Sequence, residues 1–588
     1  MRLSDVQYHI LIFCVVTLAA FAIWPALQGP LILDDFPNLA SLLGRSGEVD
    51  YHDVIFGNTS GPLGRGVSML TFAFNHWLRD EIVPFELKIT NLLIHLANGL
   101  LLYGLVLSLF KRVCPGHTKS SLAIVIVACW LLNPVNAGIV PYAIQRMSLL
   151  STFFVFLGCL SYAQGRIRQT NGNVFFLVAL LCWPLASLSK ENGVLLPLFL
   201  LIIEVCFFDD LWGRLARLSR RQKVLLSVLI FMLAALLLVL LNSVGYMDYS
   251  GRNFSLAERL YTQPRVLLDY VWKTLLPTGV DIGLYHDDFR ISKSFWDVRS
   301  LFCSLVLLVT LTVSLFILKS NKNRYLVSGI LMFFSGHLIE STVFPLEMYF
   351  EHRNYLPSAG LLLSLVLIVD RFMEDRAVRR VLSVAILSYL AVLGYLSYEK
   401  SKIWASQEAI IVNTYQNHPM SVRANLDMSA LLTQRGDLQG SLFVNSQIPL
   451  LDQLEAFRAK IQRFYIYCEL GNHIPESEYE ELGNSVSLYR PIEISTAFGN
   501  VLESYKRQNC NFVDIKRVAD SLSIWVDGQI KQKELPAAAA WPIEYYIVEF
   551  LFAAGYHNEA MSRLKVSANS GNSKARYYLE ELEKVQEG

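Results

Sequence analysis

Runs of about 20 mostly apolar residues recur between residues 1 and 398, and they restrict the possible folds more than any other feature. A helix needs about this length to cross the hydrocarbon core of a bilayer, and inside lipid it satisfies its own backbone hydrogen bonds. The sequence therefore predicts an all-α, polytopic membrane domain with about eleven transmembrane helices. The predicted spans lie near residues 8–27, 89–110, 122–140, 147–163, 174–189, 193–207, 224–242, 301–318, 325–340, 356–370 and 381–398.

The composition supports a membrane protein and divides the chain into two domains. Hydrophobic residues make up 53% of the chain and charged residues 17%; the mean hydropathy of +0.38 is too high for an ordinary soluble protein. We predict a transmembrane domain over residues 1–398 and a soluble domain over residues 399–588. The 51 basic and 50 acidic residues form no dense basic stripe, which argues against nucleic acid as a partner.

Lysine and arginine residues concentrate in alternate loops, which marks those loops as cytoplasmic because such residues are costly to move across a membrane. With an odd number of spans, the N-terminus is then cytoplasmic and the soluble domain lies in the periplasm, outside the inner (plasma) membrane. The first apolar run lacks a small-residue cleavage site, so we expect a retained helix. The basic loop residues are Lys111, Arg112, Lys119, Arg166, Arg168, Arg214, Arg217, Arg220, Arg221, Lys223, Lys319, Lys322, Arg324, Arg371, Arg376, Arg379 and Arg380.

Two of the nine cysteines, Cys468 and Cys510, fall in the soluble domain. A periplasmic compartment is oxidising, so two cysteines that lie close together there can form a disulfide. Spacing along the chain does not give the distance between them. The sequence therefore leaves their bonding open.

Two long loops on the predicted outer side, residues 28–88 and 243–300, contain apolar residues at helical spacing. The patterns cover residues 67–78 and 254–276. Helices with one apolar face lie along membrane surfaces. We expect these two helices to form walls of a site that opens to lipid and to water.

Two adjacent carboxylates, Asp34 and Asp35, follow the first predicted span. Adjacent residues point in different directions on a regular backbone. One of them is therefore expected to face a reacting hydroxyl as a base, while its neighbour fixes geometry or binds a cation. The same pair also fits a solvated loop or a helix cap.

Other ionisable residues lie at outer ends of the predicted spans, where charges are costly and usually functional. Cations opposite a carboxylate suit transfer from a phosphate, because they stabilise the leaving phosphate while the carboxylate accepts the acceptor's proton. There are two alternatives without a catalytic role. Lys190 and Glu191 form an ion pair with each other, or the Arg353 side chain only extends to place its charge at the membrane–water interface. The residues are Arg146, Lys190, Glu191, Glu347, Glu351, His352 and Arg353.

The second predicted span carries Asn91, His95 and Asn98 on one helical face. Polar side chains in membrane helices commonly hydrogen-bond to neighbouring helices. We expect these three residues to serve packing.

Six segments in order along the chain resemble the tetratricopeptide-containing transmembrane O-mannosyltransferases and related bacterial protein (pilin-type) glycosyltransferases of the GT-C superfamily. Together they span about 330 residues, which makes the signal fairly specific. They are LDDFPNL at 33–39, GPLGRGVSMLTFAFNHWL at 61–78, FELKITNLLIHLANGLLLYGL at 85–105, LLNPVNAGIVPYAIQRMSLLSTFFVFLGCLSY at 131–162, SLSKENGVLLPL at 187–198 and EHRNYLPSAG at 351–360.

The resemblance implies a GT-C fold and an inverting transfer of a sugar from a polyprenyl-phosphate carrier to a hydroxyl, without a metal or cofactor. It makes Asp34 the preferred base and Asp35 the fallback. The residues that it assigns to the carrier phosphate are Arg146, Lys190, His352 and Arg353, with Glu191 and Glu351 in support.

The tail is similar to the same family. Residues 419–438 and 545–582 each look like a tetratricopeptide helix pair, although Pro475, Pro491 and Pro536 interrupt any regular 34-residue period. The resemblance therefore implies an extracytoplasmic α-helical domain of irregular repeats. Stacked helices of this kind present a groove for protein or peptide, so we expect acceptor recognition there.

The sequence leaves three functions open. The first is transfer to Ser or Thr of an exported protein on the outer face of the membrane. The second keeps this chemistry and changes the acceptor to lipid A or a glycan. The third, a non-catalytic envelope scaffold, does not account for ionisable residues gathered on one side. Transport is less favoured, because transport sites lie near the membrane midplane.

Overall fold

The computed structural model divides the chain into two compact units. Unit 1 comprises Met1–Leu284 and Phe289–Ile410, and unit 2 comprises Tyr285–Asp288 and Ile411–Gly588. Every regular element among the described residues is helical. The structure describes residues 5–43, 49–58, 61–113, 120–168, 172–208, 217, 219, 247–249, 252–319, 323–373, 375–448, 453–483, 491–507, 510, 513–531 and 540–587.

In its described part, unit 1 consists mainly of long apolar helices. Its α-helices within the described ranges are α1 Asp5–Ile23, α2 Asp35–Leu39, α3 Tyr51–Phe56, α4 Gly66–Arg79, α5 Pro84–Val113, α6 Ser120–Leu131, α7 Pro134–Ala137, α8 Arg146–Ile167, α9 Gly172–Ser189, α10 Leu196–Phe207, α11 Leu256–Leu275, α12 Val298–Ile317, α13 Ser328–Gly336, α14 Tyr355–Asp370 and α15 Arg376–Ile403.

Six helical segments of the described chain are long and apolar enough to cross a membrane. They are Val6–Gln28, Pro84–Lys111, Ala143–Ile167, Gly172–Ser189, Val298–Ile317 and Arg376–Ile403. The chain is therefore a membrane protein with several spans. The count of eleven and the orientation stay predictions, and the predicted span at 224–242 lies outside the described residues.

Proline explains why two other predicted spans are shorter as regular helices. In the region 122–140, α6 ends at Leu131 and Pro134 begins the short helix α7. Near residue 193, a 3₁₀ turn over Glu191–Leu195 precedes α10, which has Pro197 in its first turn. Proline lacks an N–H and is tolerated at the start of a helix, so it favours a new helix at each point.

The polar side chains of α5 form hydrogen bonds inside the helix bundle. Asn91 donates to the carbonyl oxygens of Val140, Tyr142 and Ala143 at 3.1–3.3 Å. His95 Nδ1 lies 2.7 Å from Tyr355 Oη, and Asn98 Nδ2 donates to Leu149 O at 3.0 Å. All three side chains are fully buried. The predicted packing role of this face is confirmed.

Both predicted amphipathic stretches form helices. In α4, Met69, Phe72 and His76 are buried, whereas Phe74 and Trp77 on the opposite face are exposed. Helix α11 begins with a capping box in which the Ser255 and Glu258 side chains bind each other's backbone N–H. Each helix thus has one buried face and one face free to contact lipid or water.

Unit 2 is built from helical hairpins, and residues 285–288, which lie between α11 and α12 in the chain, belong to it. The Asp287 carboxylate accepts hydrogen bonds from Ser421 Oγ at 2.6 Å and Val422 N at 2.8 Å, so it caps α17. The helices that follow α15 are α16 Gln407–Asn417, α17 Val422–Gln434, α18 Leu438–Ser446, α19 Gln453–Leu470, α20 Glu476–Gly483, α21 Pro491–Lys506, α22 Ile515–Lys531, α23 Trp541–Ala553, α24 His557–Asn569 and α25 Ser573–Glu587.

Glycines with positive φ connect two of these hairpins. Gly436, between α17 and α18, has φ of 79°, and Gly555, between α23 and α24, has φ of 84°. Glycine is favoured there because it has no Cβ to clash. Residues 419–438 hold one helix and the connecting turn, not a complete helix pair. The hairpin pattern fits the predicted family of repeats, but the repeat assignment stays a prediction.

Cys468 and Cys510 form a disulfide in the core of unit 2. Cys468 lies near the end of α19, and Cys510 precedes α22. This answers whether the two cysteines are bonded, which the sequence left open. Because the two residues are 42 apart along the chain, the bond restricts a large part of the unfolded tail.

We expect that replacing both cysteines by serine destabilises unit 2 by about 4 kcal/mol, the chain-entropy value for a loop of this length. Thermal unfolding of the full chain, followed by circular dichroism in detergent, measures the change. Cys14→Ser, at a free and exposed thiol, is the control. An unchanged unfolding temperature in the double variant would show that the bond contributes nothing.

Candidate functional site

The two adjacent aspartates have opposite environments. They follow a 3₁₀ turn over Trp24–Gln28, and Asp35 begins the short helix α2. Leu33 just before them has φ of 43°, a left-handed conformation that is strained for a leucine and often marks a functional site. Asp34 is exposed, whereas Asp35 is fully buried.

Asp35 is held by backbone hydrogen bonds on both of its oxygens. Oδ2 accepts from Ile32 N at 2.9 Å, and Oδ1 accepts from Ile144 N at 2.7 Å. Burial raises the pKa of Asp35 to about 6, although these N–H groups and the nearby charge of Lys88 act in the opposite direction. The carboxylate of Asp35 therefore joins the first loop to the segment before α8.

Asp34 is attached to the same segment through its backbone. Its N–H donates to Tyr142 Oη at 3.2 Å. Burial, followed by the negative charges of Asp34 and Asp35, raises the pKa of Tyr142 well above its usual value, so its hydroxyl stays neutral. This arrangement leaves the carboxylate of Asp34 exposed beside a fixed phenol.

The segment from Tyr142 to Ser148 connects the aspartates to a group of cations. Tyr142 and Ile144 contact the aspartates, and Ser148 accepts a hydrogen bond from Lys190 Nζ at 2.9 Å. A 3₁₀ turn and the start of α8 make up this segment, so its ends are roughly 10 Å apart. This length is short beside the ~30 Å hydrocarbon core.

Arg146, in the middle of this segment, is fully buried and its donors are taken by protein. Its guanidinium also lies over the Phe72 ring, 4.1 Å from the ring centre. These bonds tie α8 to α4 and α5. The acceptors are Asn91 Oδ1 at 2.9 Å, Thr71 Oγ1 at 3.3 Å, Asn75 Oδ1 at 2.7 Å and Leu87 O at 2.9 Å.

Lys190 and Glu191 pair with different partners, so the alternative that they form an ion pair with each other is wrong. Lys190 Nζ lies 3.2 Å from Glu340 Oε1. Both carboxylate oxygens of Glu191 accept hydrogen bonds from Arg65 at 3.1 Å. Burial lowers the pKa of Lys190, and Glu340 opposes this effect.

Arg353 differs from Arg146 in how its donors are used. It is 7% exposed, and the described residues give it one hydrogen bond, from Nη1 to Glu347 O at 2.6 Å. Its charge acts on both Lys190 and Glu340. A guanidinium has five N–H donors, so several of its donors are available to a ligand.

These residues form a cationic cluster, which we define as Arg65, Lys190, Glu191, Glu340 and Arg353. Three positive side chains face two carboxylates, a net charge of +1 when all are ionised. Lys190 uses two of its three donors, on Ser148 and Glu340. The cluster therefore has both excess positive charge and free donors for an anion.

Tyr142 also lines a narrow open cleft with a volume of about 30 Å³. His352 stacks on Phe350 with their ring centres 5.0 Å apart. Trp404 is 3% exposed, and its buried Nε1 has no hydrogen-bond partner among the described residues. The lining residues are Val135, Gly138, Ile139, Tyr142, Ile282, Gly283, Leu284, Phe350, Glu351, His352, Lys400 and Trp404.

Glu351 at this cleft is neutralised by two lysines. Its Oε1 lies 2.6 Å from Lys273 Nζ, and its Oε2 lies 3.3 Å from Lys400 Nζ. Glu351 raises the pKa of Lys273 together with Asp281 and Asp269, although burial acts in the opposite direction. This network fixes the wall of the cleft and leaves no excess positive charge.

The predicted site residues lie in four places in the structure. Asp34 and Asp35 form the acidic turn, Lys190, Glu191 and Arg353 lie in the cationic cluster, and Glu351 and His352 line the cleft. Arg146 lies in the helix core. Within the described ranges, no group of three or more His, Cys, Asp or Glu is placed to hold a metal ion; metal-free transfer stays a prediction.

Several residues of this region were not singled out from the sequence. Three of them, Arg65, Lys88 and Tyr142, lie inside segments that carry the family resemblance, which is a usable signal. The others have no local signal in the sequence: Lys273, Glu340, Lys400 and Trp404.

Comparison with known proteins gives a distant similarity to two mammalian proteins. The chain is 27% identical over 167 residues to protein O-mannosyl-transferase TMTC4 of Mus musculus, and 25% identical over 167 residues to that of Homo sapiens. Each match covers 25% of this chain and 22% of the relative, so the chain spans about a fifth of the curated relatives' length. No family model matches the chain. No solved structure matches it.

The raised pKa of Asp35 predicts a pH-dependent stability. With a folded pKa of about 6 against an ordinary 3.8, the folded state binds more protons between these values. Stability should therefore fall as pH rises from about 4 to 6, by about 3 kcal/mol, and then level off. In Asp35→Asn this dependence should be weaker, as measured by thermal unfolding in detergent across that range.

The control is Asp80→Asn, which replaces an exposed carboxyl at the end of α4. It should keep the pH dependence of the parent. Equal slopes in the two variants would contradict the role of Asp35.

Proposed function

We propose that this chain is a membrane glycosyltransferase that transfers a sugar from a polyprenyl-phosphate carrier to a hydroxyl on the outer face of the inner (plasma) membrane. The observation that carries the proposal is the segment 142–148, which attaches the aspartates at one end and Lys190 at the other. The similarity to protein O-mannosyl-transferases and the several spanning helices support it. The proposed acceptor is Ser or Thr of an exported protein.

Asp34 is the proposed base, because its carboxylate is exposed while both oxygens of Asp35 accept backbone N–H groups. Asp34 takes the proton of the acceptor hydroxyl as the oxygen attacks the anomeric carbon. The bond from that carbon to the phosphate oxygen breaks, and the carrier phosphate leaves with the electron pair. Attack from the face opposite the phosphate inverts the configuration.

The cationic cluster is the proposed phosphate site. Arg353 and Lys190 have free donors, and the net positive charge stabilises the phosphate as it gains charge. Arg65 extends the cluster through Glu191. We leave Arg146 out of the phosphate site and assign it to positioning, because the residues around it take its donors.

The cleft beside Tyr142 is the proposed place of the reacting groups. Tyr142 joins it to Asp34, and the aromatic rings of Phe350, His352 and Trp404 give it flat walls. Such walls with a few polar groups are typical of small-ligand sites. The neutralised Glu351 network suits an uncharged sugar or hydroxyl better than a phosphate.

Asp34→Asn should abolish transfer, with a loss of at least about 100-fold in turnover, because the amide does not accept the proton. Insertion and thermal unfolding should match the parent, since the Asp34 carboxylate is exposed. The assay is transfer to exported proteins, read as intact-mass shifts. Asp80→Asn, in the same outer loop, should stay active. Full activity of Asp34→Asn would remove it as the base.

Two arginine variants test which arginine binds the phosphate. Arg353→Gln should lower kcat/KM for the carrier-linked sugar by about 10- to 100-fold, which is the effect expected from losing one charge-assisted hydrogen bond to the phosphate. Its unfolding temperature should stay close to the parent, because it loses one described hydrogen bond. Arg146→Gln should instead lower stability and yield, since several buried acceptors lose their donor.

Arg252→Gln is the matched control for Arg353→Gln. Arg252 also binds the segment 345–347, through Pro345 O at 2.7 Å and Glu347 Oε1 at 2.9 Å. It should keep the parent's kcat/KM. If Arg146→Gln folds normally and loses donor affinity while Arg353→Gln retains it, the assignment of the two arginines is reversed.

A further inference from the structure

Unit 2 contains a cavity of its own, of about 310 Å³. Three helices contribute to it: α17, α19 and α21. The volume is at the lower end of the range for small-molecule sites. The lining residues are Ala430, Thr433, Gln434, Gln462, Tyr465 and Asn500.

Two polar residues of this cavity are fixed parts of its wall. Thr433 Oγ1 donates to Ser429 O at 3.0 Å. Gln462 Nε2 donates to Leu426 O at 3.1 Å, and its Oε1 accepts from Asn445 Nδ2 at 3.1 Å. These bonds hold α17, α18 and α19 together and give the cavity a defined shape.

The other three polar residues are available to a ligand. In the described part of the chain, the side chains of Gln434, Tyr465 and Asn500 make no hydrogen bond to protein. They come from three different helices and line one cavity. Each amide presents a donor and an acceptor, and the phenol presents both.

The described part of the lining contains no charged side chain that could pair with a charged ligand, which favours an uncharged one. Sugar hydroxyls donate and accept in the same way as amides and phenols. The ring of Tyr465 also offers a flat apolar face. An extended peptide needs a long groove with alternating side-chain pockets, whereas six residues around a compact cavity match a single ring.

We propose that this cavity is a carbohydrate site that binds one neutral sugar unit. Identifying this unit with the transferred sugar rests on the proposed function. The tail then holds acceptors that already carry the sugar, through Gln434, Asn500 and Tyr465. A glycosylated acceptor is thereby bound separately from the chemistry at Asp34.

The test uses the full chain in nanodiscs with Asp34→Asn, so that binding is measured without turnover. Saturation-transfer NMR reports binding of free mannose, glucose, galactose, N-acetylglucosamine and N-acetylgalactosamine. At least one should bind, and Gln434→Ala with Asn500→Ala should weaken its binding at least 10-fold. Tyr465→Phe, which keeps the ring and loses the hydroxyl, should weaken it less.

The matched control replaces Gln447 and Asn417, an exposed glutamine and asparagine of unit 2 outside the cavity, by alanine. It should bind sugar like the parent, and both double variants should unfold at the parent's temperature. The proposal is overturned if none of the five sugars binds, if the cavity variant binds as the control does, or if an unglycosylated peptide displaces the sugar. If sugar binds and Asp34→Asn is active, the proposed catalysis is contradicted and the proposed sugar site is retained.

Discussion

The candidate site depends on one buried carboxylate that joins two distant parts of the chain. Asp35 accepts one N–H from its own loop and one from Ile144, which is 109 residues further along. A buried carboxylate is costly unless such donors satisfy it. Because both oxygens are occupied, the backbone before it is held in a fixed turn, with Leu33 at positive φ and Asp34 facing outward.

The same segment around Ile144 is held from its other side by Arg146. That guanidinium binds acceptors on α4 and α5, so the segment is fixed between a buried acid and a buried base that do not pair with each other. Each group is satisfied by neutral partners. Moving either one would leave several buried polar groups unpaired, at a cost of about 1–3 kcal/mol each. These bonds therefore fix the backbone segment that lies between the contacts to Asp34 and to Lys190.

The sequence predicted the helical membrane class, the amphipathic α4 and α11, the packing face of α5 and the region of the acidic pair. Those features depend on periodicity and on local spacing, which a sequence displays directly. The sequence predicted that one aspartate faces the acceptor while its neighbour fixes geometry, but the N–H that holds Asp35 was not predictable, because it lies 109 residues away. The acceptors of Arg146 on α4 and α5 were not predictable for a related reason, because they lie near it only after the helices are packed.

Charge alone does not identify a phosphate site in this protein, because most of its interior cations are already neutralised. Lys273 and Lys400 share Glu351, and Arg166 binds Glu204 through two hydrogen bonds. A phosphate would have to displace a carboxylate at each of those positions, which costs the buried carboxylate its partner. Arg353 is different, since the described residues give it a carbonyl and no carboxylate. Donor availability, more than the number of positive charges, therefore supports the proposed phosphate site beside Arg353, where Lys190 has one donor left beyond those on Ser148 and Glu340.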